Sequence, residues 1–171
     1  MMSNDTTSPV LPYRIGHGYD VHRFGEGDFI MLGGIKIPYH HGFIAHSDGD
    51  VLIHSFCDAL LGSVAAGDIG QHFPDTDDQY KDIDSSVLLS RVNQLLQQEQ
   101  FSIVNADITI VAQTPKMSPY IQAMRQHLSE VLDISISLIN IKATTTEKLG
   151  FTGREEGIAV YTVVMVCRNR P

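Results

Sequence analysis

Cysteine is scarce in this chain. Its 171 residues include only Cys57 and Cys167, one in a helix-like stretch and one in a strand-like stretch. No dense disulfide framework is available to staple the fold, and a reducing cytosol is the expected compartment. Long apolar runs are missing too, and nothing reaches the length needed to cross a bilayer. Residues 1–12 are polar and rich in Ser, Thr and Pro. They lack the basic start and apolar middle of a secretory signal, and they read as a disordered extension. Without a transit peptide, a bacterial cytosol is expected. Positive charge is also short: 12 Lys and Arg stand against 20 Asp and Glu, a formal net charge of −8. Such a chain is poorly suited to nucleic acid or anionic membranes. A polyphosphate substrate would need metal cations to supply local positive charge.

What is present suits one domain over residues 13–171, with no internal repeat and no linker. Tyr13 to His22 reads as a strand interrupted by Gly16 and Gly18. Phe29 to Leu32 and Ile35 to Ile37 flank Gly33-Gly34, a hairpin signal. The spacing of Leu52, Phe56, Leu60 and Val64 predicts a helix over Asp48 to Ala66, with Ser47 or Asp48 as its cap. Gly67 to Asp84 reads as a long acidic loop. Asp84 then caps a helix carrying Val87, Leu88, Val92, Leu95 and Leu96. Val104, Ala106, Ile108, Ile110 and Ala112 alternate with polar residues as a half-buried strand. Ser118-Pro119 opens the next helix as cap and first helical residue. Ile139, Ile141 and Ala143 form another strand, and Ile158 to Cys167 a last strand that is apolar on both faces. The sum is an α+β fold: a two-layer mixed β-sheet covered by helices on one face, plus a small edge hairpin.

Three segments carry candidate chemistry. In Asp20-Val21-His22, residues two apart face the same side of a strand, so Asp20 and His22 converge while His17 and Tyr19 point away. With His54 they make three N/O ligands, which suits a catalytic zinc with an open fourth position. Asp50 or Asp58, one turn to either side on the same helix, can orient His54. The same residues read equally as ordinary surface polar groups. Ala112-Gln113-Thr114-Pro115-Lys116-Met117 leaves a strand and enters a helix, a place where free N–H groups and a lysine suit phosphate. A plain connecting turn is the bland alternative. Ala143-Thr144-Thr145-Thr146-Glu147 offers three hydroxyls and a carboxylate for phosphate and a hard cation. Thr144-x-x-Glu147 also has capping-box spacing, so Glu147 has a structural explanation as well. His46 precedes the first helix, and the loop from Asp68 to Asp77 holds carboxylates suited to sugar hydroxyls.

Together and in this order, these segments resemble the 2-C-methyl-D-erythritol 2,4-cyclodiphosphate synthase family. The matching stretches are Gly18 to His22, His46-Ser47-Asp48-Gly49-Asp50, Gly67-Asp68-Ile69-Gly70, Phe73-Pro74-Asp75-Thr76-Asp77, Pro115-Lys116-Met117 and the long run from Lys142 to Arg154. The resemblance implies zinc at Asp20, His22 and His54, and a second divalent ion, Mg²⁺ or Mn²⁺, at Glu147. It implies transition-state stabilisation by His46 and Thr145. The pocket for the methylerythritol phosphate end would comprise Ser47, Asp68, Ile69, Gly70, Phe73, Asp75, Thr76 and Asp77. The cytidine diphosphate pocket would comprise Ala112, Gln113, Thr114, Pro115, Lys116, Met117, Ser118, Ala143, Thr144 and Thr146. Phe151 and Arg154 would lie near the diphosphate and a trimer axis. Ser118 stands where other members often carry Leu. The family is a homotrimer with active sites between subunits, and some members hold an isoprenoid diphosphate on the axis. Tyr161, standing where some members have an acid, argues against carrying that ligand over. The implied reaction cyclises a cytidine-diphosphate-linked methylerythritol phosphate and expels CMP. A zinc phosphoesterase and a non-catalytic CDP-binding trimer are the competing readings.

Overall fold

The computed structural model describes residues 11–45, 47–74 and 83–169. The extension expected over residues 1–12 therefore lies almost wholly outside them. Only Leu11 and Pro12 are described, and the Pro12 carbonyl accepts from the Arg168 N–H at 2.7 Å.

Five strands make one mixed sheet. Its order is β4 (Gly42–Phe43), β1 (Tyr13–Gly25), β7 (Gly157–Arg168), β5 (Phe101–Val111) and β6 (Ile139–Thr144). All neighbours are antiparallel except β5 and β6, which run parallel. They are joined through the crossover helix α4 (Ile121–Leu132). A separate hairpin, β2 (Phe29–Leu32) and β3 (Ile35–Pro38), forms the small two-stranded sheet. This is the α+β architecture read from the sequence. Three helices cover one face: α1 (Val51–Ser63) lies on β1 and β7, α3 (Ser85–Gln98) packs on α1, and α4 packs on α3 and β6. No helix among the described residues is long and apolar enough to cross a membrane.

Helix α1 is buried on nearly every side, including Leu52, Phe56 and Leu60. It is shorter than the expected Asp48 to Ala66, because its start is set by Asp50. The Asp50 carboxylate caps Ile53 N at 3.0 Å and also accepts from Gly33 N at 2.9 Å and Gly34 N at 2.6 Å. Neither Ser47 nor Asp48 is the cap. One buried carboxylate thus joins the start of α1 to the hairpin turn, where both glycines take positive φ, as a tight two-residue turn requires.

Other boundaries depart from expectation for local reasons. Ser118 and Pro119 lie in a turn, and α4 begins at Ile121 after Tyr120, which gives no side-chain cap. The acidic loop contains a short helix, α2 (Ile69–His72), capped by Asp68. In β5 the register slips between Ile103 and Asn105, so Val104 loses its place in the buried row while Ala106, Ile108 and Ile110 keep theirs. Ala143 is exposed at the end of its strand. Thr144 and Glu147 do not open a helix. Glu147 and Lys148 both take left-handed backbone, and only a four-residue helix, α5 (Gly150–Gly153), follows.

Gly16 and Gly18 set how near α1 approaches β1. A Cβ at Gly18 would sit 1.9 Å from the Ser55 carbonyl oxygen, and one at Gly16 would sit 1.8 Å from that of Ala59. Both obstacles are backbone, so a side chain at either position forces the helix off the strand. Gly18→Ala is expected to cost about 2–3 kcal/mol, as overpacking does. For a domain of this size that lowers Tm by roughly 5–10 °C. Thermal melting checks this, and an unchanged Tm would mean the approach is not a constraint.

Candidate metal and substrate site

Asp20 and His22 alternate outward from β1 onto its helix-covered side, and α1 brings His54 to meet them. Asp20 Oδ2 lies 3.3 Å from His22 Nε2 and 3.2 Å from His54 Nδ1. One ligand atom from each residue lies within 4.8 Å of the others, and all three residues are half-buried. The donor set is one carboxylate oxygen and two imidazole nitrogens, which fits a divalent transition metal with a position left open. Each ring is held from behind. The Nδ1 of His22 meets the Gly49 carbonyl at 2.8 Å. A carbonyl only accepts, so Nδ1 carries the proton and Nε2 is free to ligate. His54 Nε2 meets Ser85 Oγ at 3.0 Å and Ser47 Oγ at 3.4 Å.

Burial is the largest influence on His54 and pushes its imidazole down. The hydrogen bond and charge of Asp20, with Asp50 and Asp48 behind, outweigh it and hold the pKa above its ordinary value. Neither Asp50 nor Asp58 hydrogen-bonds to the His54 ring, contrary to the sequence expectation. Asp50 serves the hairpin and helix cap, and Asp58 accepts from Ile69 N at 2.8 Å. Burial pushes the Asp58 carboxyl up, against that N–H.

The second cluster lies at the far edge of the sheet. Ala112 and Met117 are buried, and Lys116 and Ser118 are exposed. Thr114 Oγ1 is 2.6 Å from Tyr39 OH, which ties this turn, together with the neighbouring Pro115, to the end of the hairpin. Gln113 Oε1 accepts from Lys148 N at 3.3 Å and joins the turn to the segment after β6. There Thr145 donates to Glu147 Oε1 at 3.1 Å, and Ala143, Thr144, Thr145 and Glu147 are exposed. Thr146 donates to the Leu149 carbonyl. Phe151 is partly exposed, and Arg154 donates to Glu156 at 2.8 Å.

The structure joins the two phosphate-type turns to each other but not to the metal triad. The strand register puts Asp20, Val160, Ile110 and Ala143 in one row across β1, β7, β5 and β6. Three strand spacings of about 4.8 Å separate the ends of that row by about 14 Å. Of the expected sugar pocket, Ser47 sits beside His54. Asp68 is engaged as the cap of α2, on which Ile69 and Gly70 lie, and Phe73 follows that helix half-buried. His46, Asp75, Thr76 and Asp77 lie outside the described residues.

Sequence reasoning missed Ser85, which touches His54 across 31 positions. No local signal marks it, since its only distinction is its place after the Asp84 cap.

A model of the YgbB family matches residues 13–167. The chain is 60% identical over 155 residues to the 2-C-methyl-D-erythritol 2,4-cyclodiphosphate synthase of Ectopseudomonas mendocina, covering 91% of this chain and 99% of that protein. Among solved structures it resembles the bifunctional IspDF of Campylobacter jejuni, with a TM-score of 0.88 and 45% identity, over 91% of this chain and 42% of that one. The CDP complex of IspF from Plasmodium falciparum follows with a TM-score of 0.81 and 34% identity, over 92% and 97% of the two chains.

Protons and metal compete for His54. In the metal-free protein its raised pKa makes the protonated ring's pairing with Asp20 a stabilising interaction. That stability is fully present below the unfolded histidine value of about 6.5 and is lost as pH rises through the folded value. A metal bound at Nδ1 would have to displace that proton. Zinc affinity, measured by chelator competition, is therefore expected to weaken as pH falls from about 8 towards 6, with the decline starting above the ordinary imidazole range. A flat profile would remove His54 from the ligand set.

Proposed function

The chain belongs to the YgbB family, and from that premise we propose which of its residues carry the activity. That activity is the conversion of 4-diphosphocytidyl-2-C-methyl-D-erythritol 2-phosphate into 2-C-methyl-D-erythritol 2,4-cyclodiphosphate and CMP, a phosphorus–oxygen lyase reaction of isoprenoid biosynthesis. An oxygen of the 2-phosphate bonds to the β-phosphorus. The bond from that phosphorus to the oxygen it shares with the α-phosphorus breaks, and CMP departs with the electron pair. The nucleophile is already an anion, so no general base is needed. The protein's task is positioning and neutralising charge.

The observation that carries the site assignment is the convergence of Asp20 Oδ2, His22 Nε2 and His54 Nδ1. These three atoms hold zinc in our reading, and Glu147, with its exposed carboxylate, holds Mg²⁺ or Mn²⁺. Ions held there would supply Lewis acidity and the positive charge that a chain of net charge −8 lacks. The remaining roles follow the chain's own groups. Ala112 to Ser118 and Ala143 to Thr146 form the cytidine diphosphate wall, where Lys116 offers an exposed ammonium to phosphate. Thr145, with His46, steadies charge as the β-phosphorus is attacked. Ser47, Asp68, Ile69, Gly70, Phe73 and Asp75 to Asp77 are assigned by the family resemblance to the methylerythritol end. Phe151 and Arg154 stand near the diphosphate, with Arg154 already paired to Glu156.

Two features support the assembly of three chains that the family resemblance implies. The CDP wall and the metal triad of one chain lie about 14 Å apart across the sheet, too far for one compact diphosphate to engage both within the same subunit. The sheet face away from the helices also carries Tyr13, Ile15, Tyr19, Val21, Tyr161 and Val163, each at least 40% exposed. A contiguous apolar face of that kind seeks a partner surface. A neighbouring chain packed on it would complete the site.

The test of function is CMP release, with product mass, from the diphosphocytidyl substrate in zinc plus Mg²⁺ or Mn²⁺. CMP with a cyclic diphosphate is expected, and inorganic phosphate in place of CMP would replace cyclisation by hydrolysis. His54→Ala should lose bound zinc and lower turnover by orders of magnitude. Glu147→Ala should raise the Mg²⁺ or Mn²⁺ concentration needed for half-maximal turnover, with zinc content and Tm unchanged. A drop in Tm without a metal phenotype would make Glu147 structural.

Sedimentation should give three times the monomer mass. Tyr161→Asp combined with Val163→Asp is expected to release folded, inactive monomers. A wild-type monomer that turns over substrate would end the trimer proposal.

A further inference from the structure

His22 and His54 present opposite ring nitrogens to the same point, Nε2 from one and Nδ1 from the other. Each ring therefore needs a different tautomer. A backbone carbonyl fixes that of His22, whereas His54 depends on side chains.

Ser85 is fully buried at the first position of α3, with its Oγ 3.0 Å from His54 Nε2. A hydroxyl has one proton to give. Asp48 lies on the other side of Ser85. Its Oδ1 accepts from Ser85 Oγ at 2.5 Å and its Oδ2 accepts from Ser85 N at 3.1 Å. A carboxylate only accepts, so the hydroxyl proton is committed to Asp48. Ser85 Oγ can then only accept from His54, and a His54 proton belongs on Nε2. Asp20 Oδ2 accepts in the same way at Nδ1, 3.2 Å away, so the metal-free ring has an acceptor at each nitrogen; a metal among the three ligands takes the place of the Nδ1 proton, while Nε2 keeps its own on Ser85.

Ser47 Oγ also approaches His54 Nε2, but at 3.4 Å it is the weaker partner, and it accepts from Gly49 N at 3.2 Å as well. We propose that Ser85, anchored by Asp48, is the positioning residue that pre-sets the tautomer and aim of His54 for metal. The proposal rests on the metal-binding reading above.

A purely structural alternative exists, because the Ser85 N–H bond to Asp48 also fastens the start of α3. Ser85→Ala separates the two roles: it keeps the backbone bond and removes only the hydroxyl. Chelator competition with Zn²⁺ alone should then show affinity falling roughly 10–100-fold, the range seen when a partner behind a ligating histidine is removed, while the Tm of the metal-free protein changes little. A ¹⁵N–¹H correlation spectrum of zinc-loaded wild type should place the His54 proton on Nε2. In zinc-loaded Ser85→Ala that proton, having lost its acceptor, should exchange with water faster.

Unchanged zinc affinity in Ser85→Ala overturns the proposal while leaving the metal site standing. Wild type that binds no zinc overturns both. Should Ser85→Ala fail to fold, the wild-type spectrum decides, and a proton on Nδ1 overturns the proposal.

Discussion

The near-contact between α1 and β1 is the constraint on which the rest hangs. With no side chain at Gly16 or Gly18, the helix backbone lies directly against the strand. That closeness lets Ser55 Oγ reach Thr162 Oγ1 at 2.7 Å on the neighbouring β7 and satisfy two hydroxyls where no water enters. It also places His54, one residue before Ser55, over the strand positions two and four beyond Gly18. A helix standing off at the usual spacing would leave Asp20 and His22 facing a gap. The meeting of Asp20, His22 and His54 is thus a by-product of packing geometry, and its precision comes from the core rather than from a loop.

Carboxylates decide the electrostatics around that triad, and most of them are already engaged. Asp50 holds the hairpin turn and the start of α1, Asp58 the first N–H of α2, and Asp84 a backbone N–H at the start of α3. Asp48 is bound to Ser85 and to Asp50 N. Each accepts N–H or O–H donors that a metal would have to displace. Asp20 is different: its Oδ1 takes only the neighbouring Val21 N–H, and its Oδ2 faces the two imidazoles. Among these carboxylates beside the cluster, Asp20 is the one that leaves an oxygen to the imidazoles.

Much of this was legible in the sequence because it rests on short-range periodicity. The Asp20/His22 pair shares one side of a strand by simple alternation, the hairpin announces itself in Gly33-Gly34, and the helices follow their apolar spacing. The features that escaped depend on tertiary contact. Asp50 displaced Asp48 as cap because the hairpin supplied two extra donors for the same carboxylate. Val104 left the buried row because a bulge let Phe101 and Ile103 keep theirs. Ser85 had no mark at all, since its importance comes from an atom 31 residues away.

The failed capping box at Thr144-x-x-Glu147 shows a local preference overruled for a reason. A helix beginning there would turn the Glu147 carboxylate back onto its own N-terminus and consume it. Instead Glu147 and Lys148 adopt left-handed backbone at φ of 52° and 66°, a conformation that costs non-glycine residues about 1 kcal/mol or more each. The segment is held by Gln113 on Lys148 N and by Thr145 on the Glu147 side chain. The Gln113 contact crosses from the turn after β5 to the turn after β6 and joins the two into one wall. The strain leaves the hydroxyl of Thr145 and the carboxylate of Glu147 exposed together at the sheet's edge, each bonded to the other residue. The Asp20, His22 and His54 cluster stands three strands away in the same chain, so the wall's hydroxyl and carboxylate are left open to whatever meets the sheet's edge.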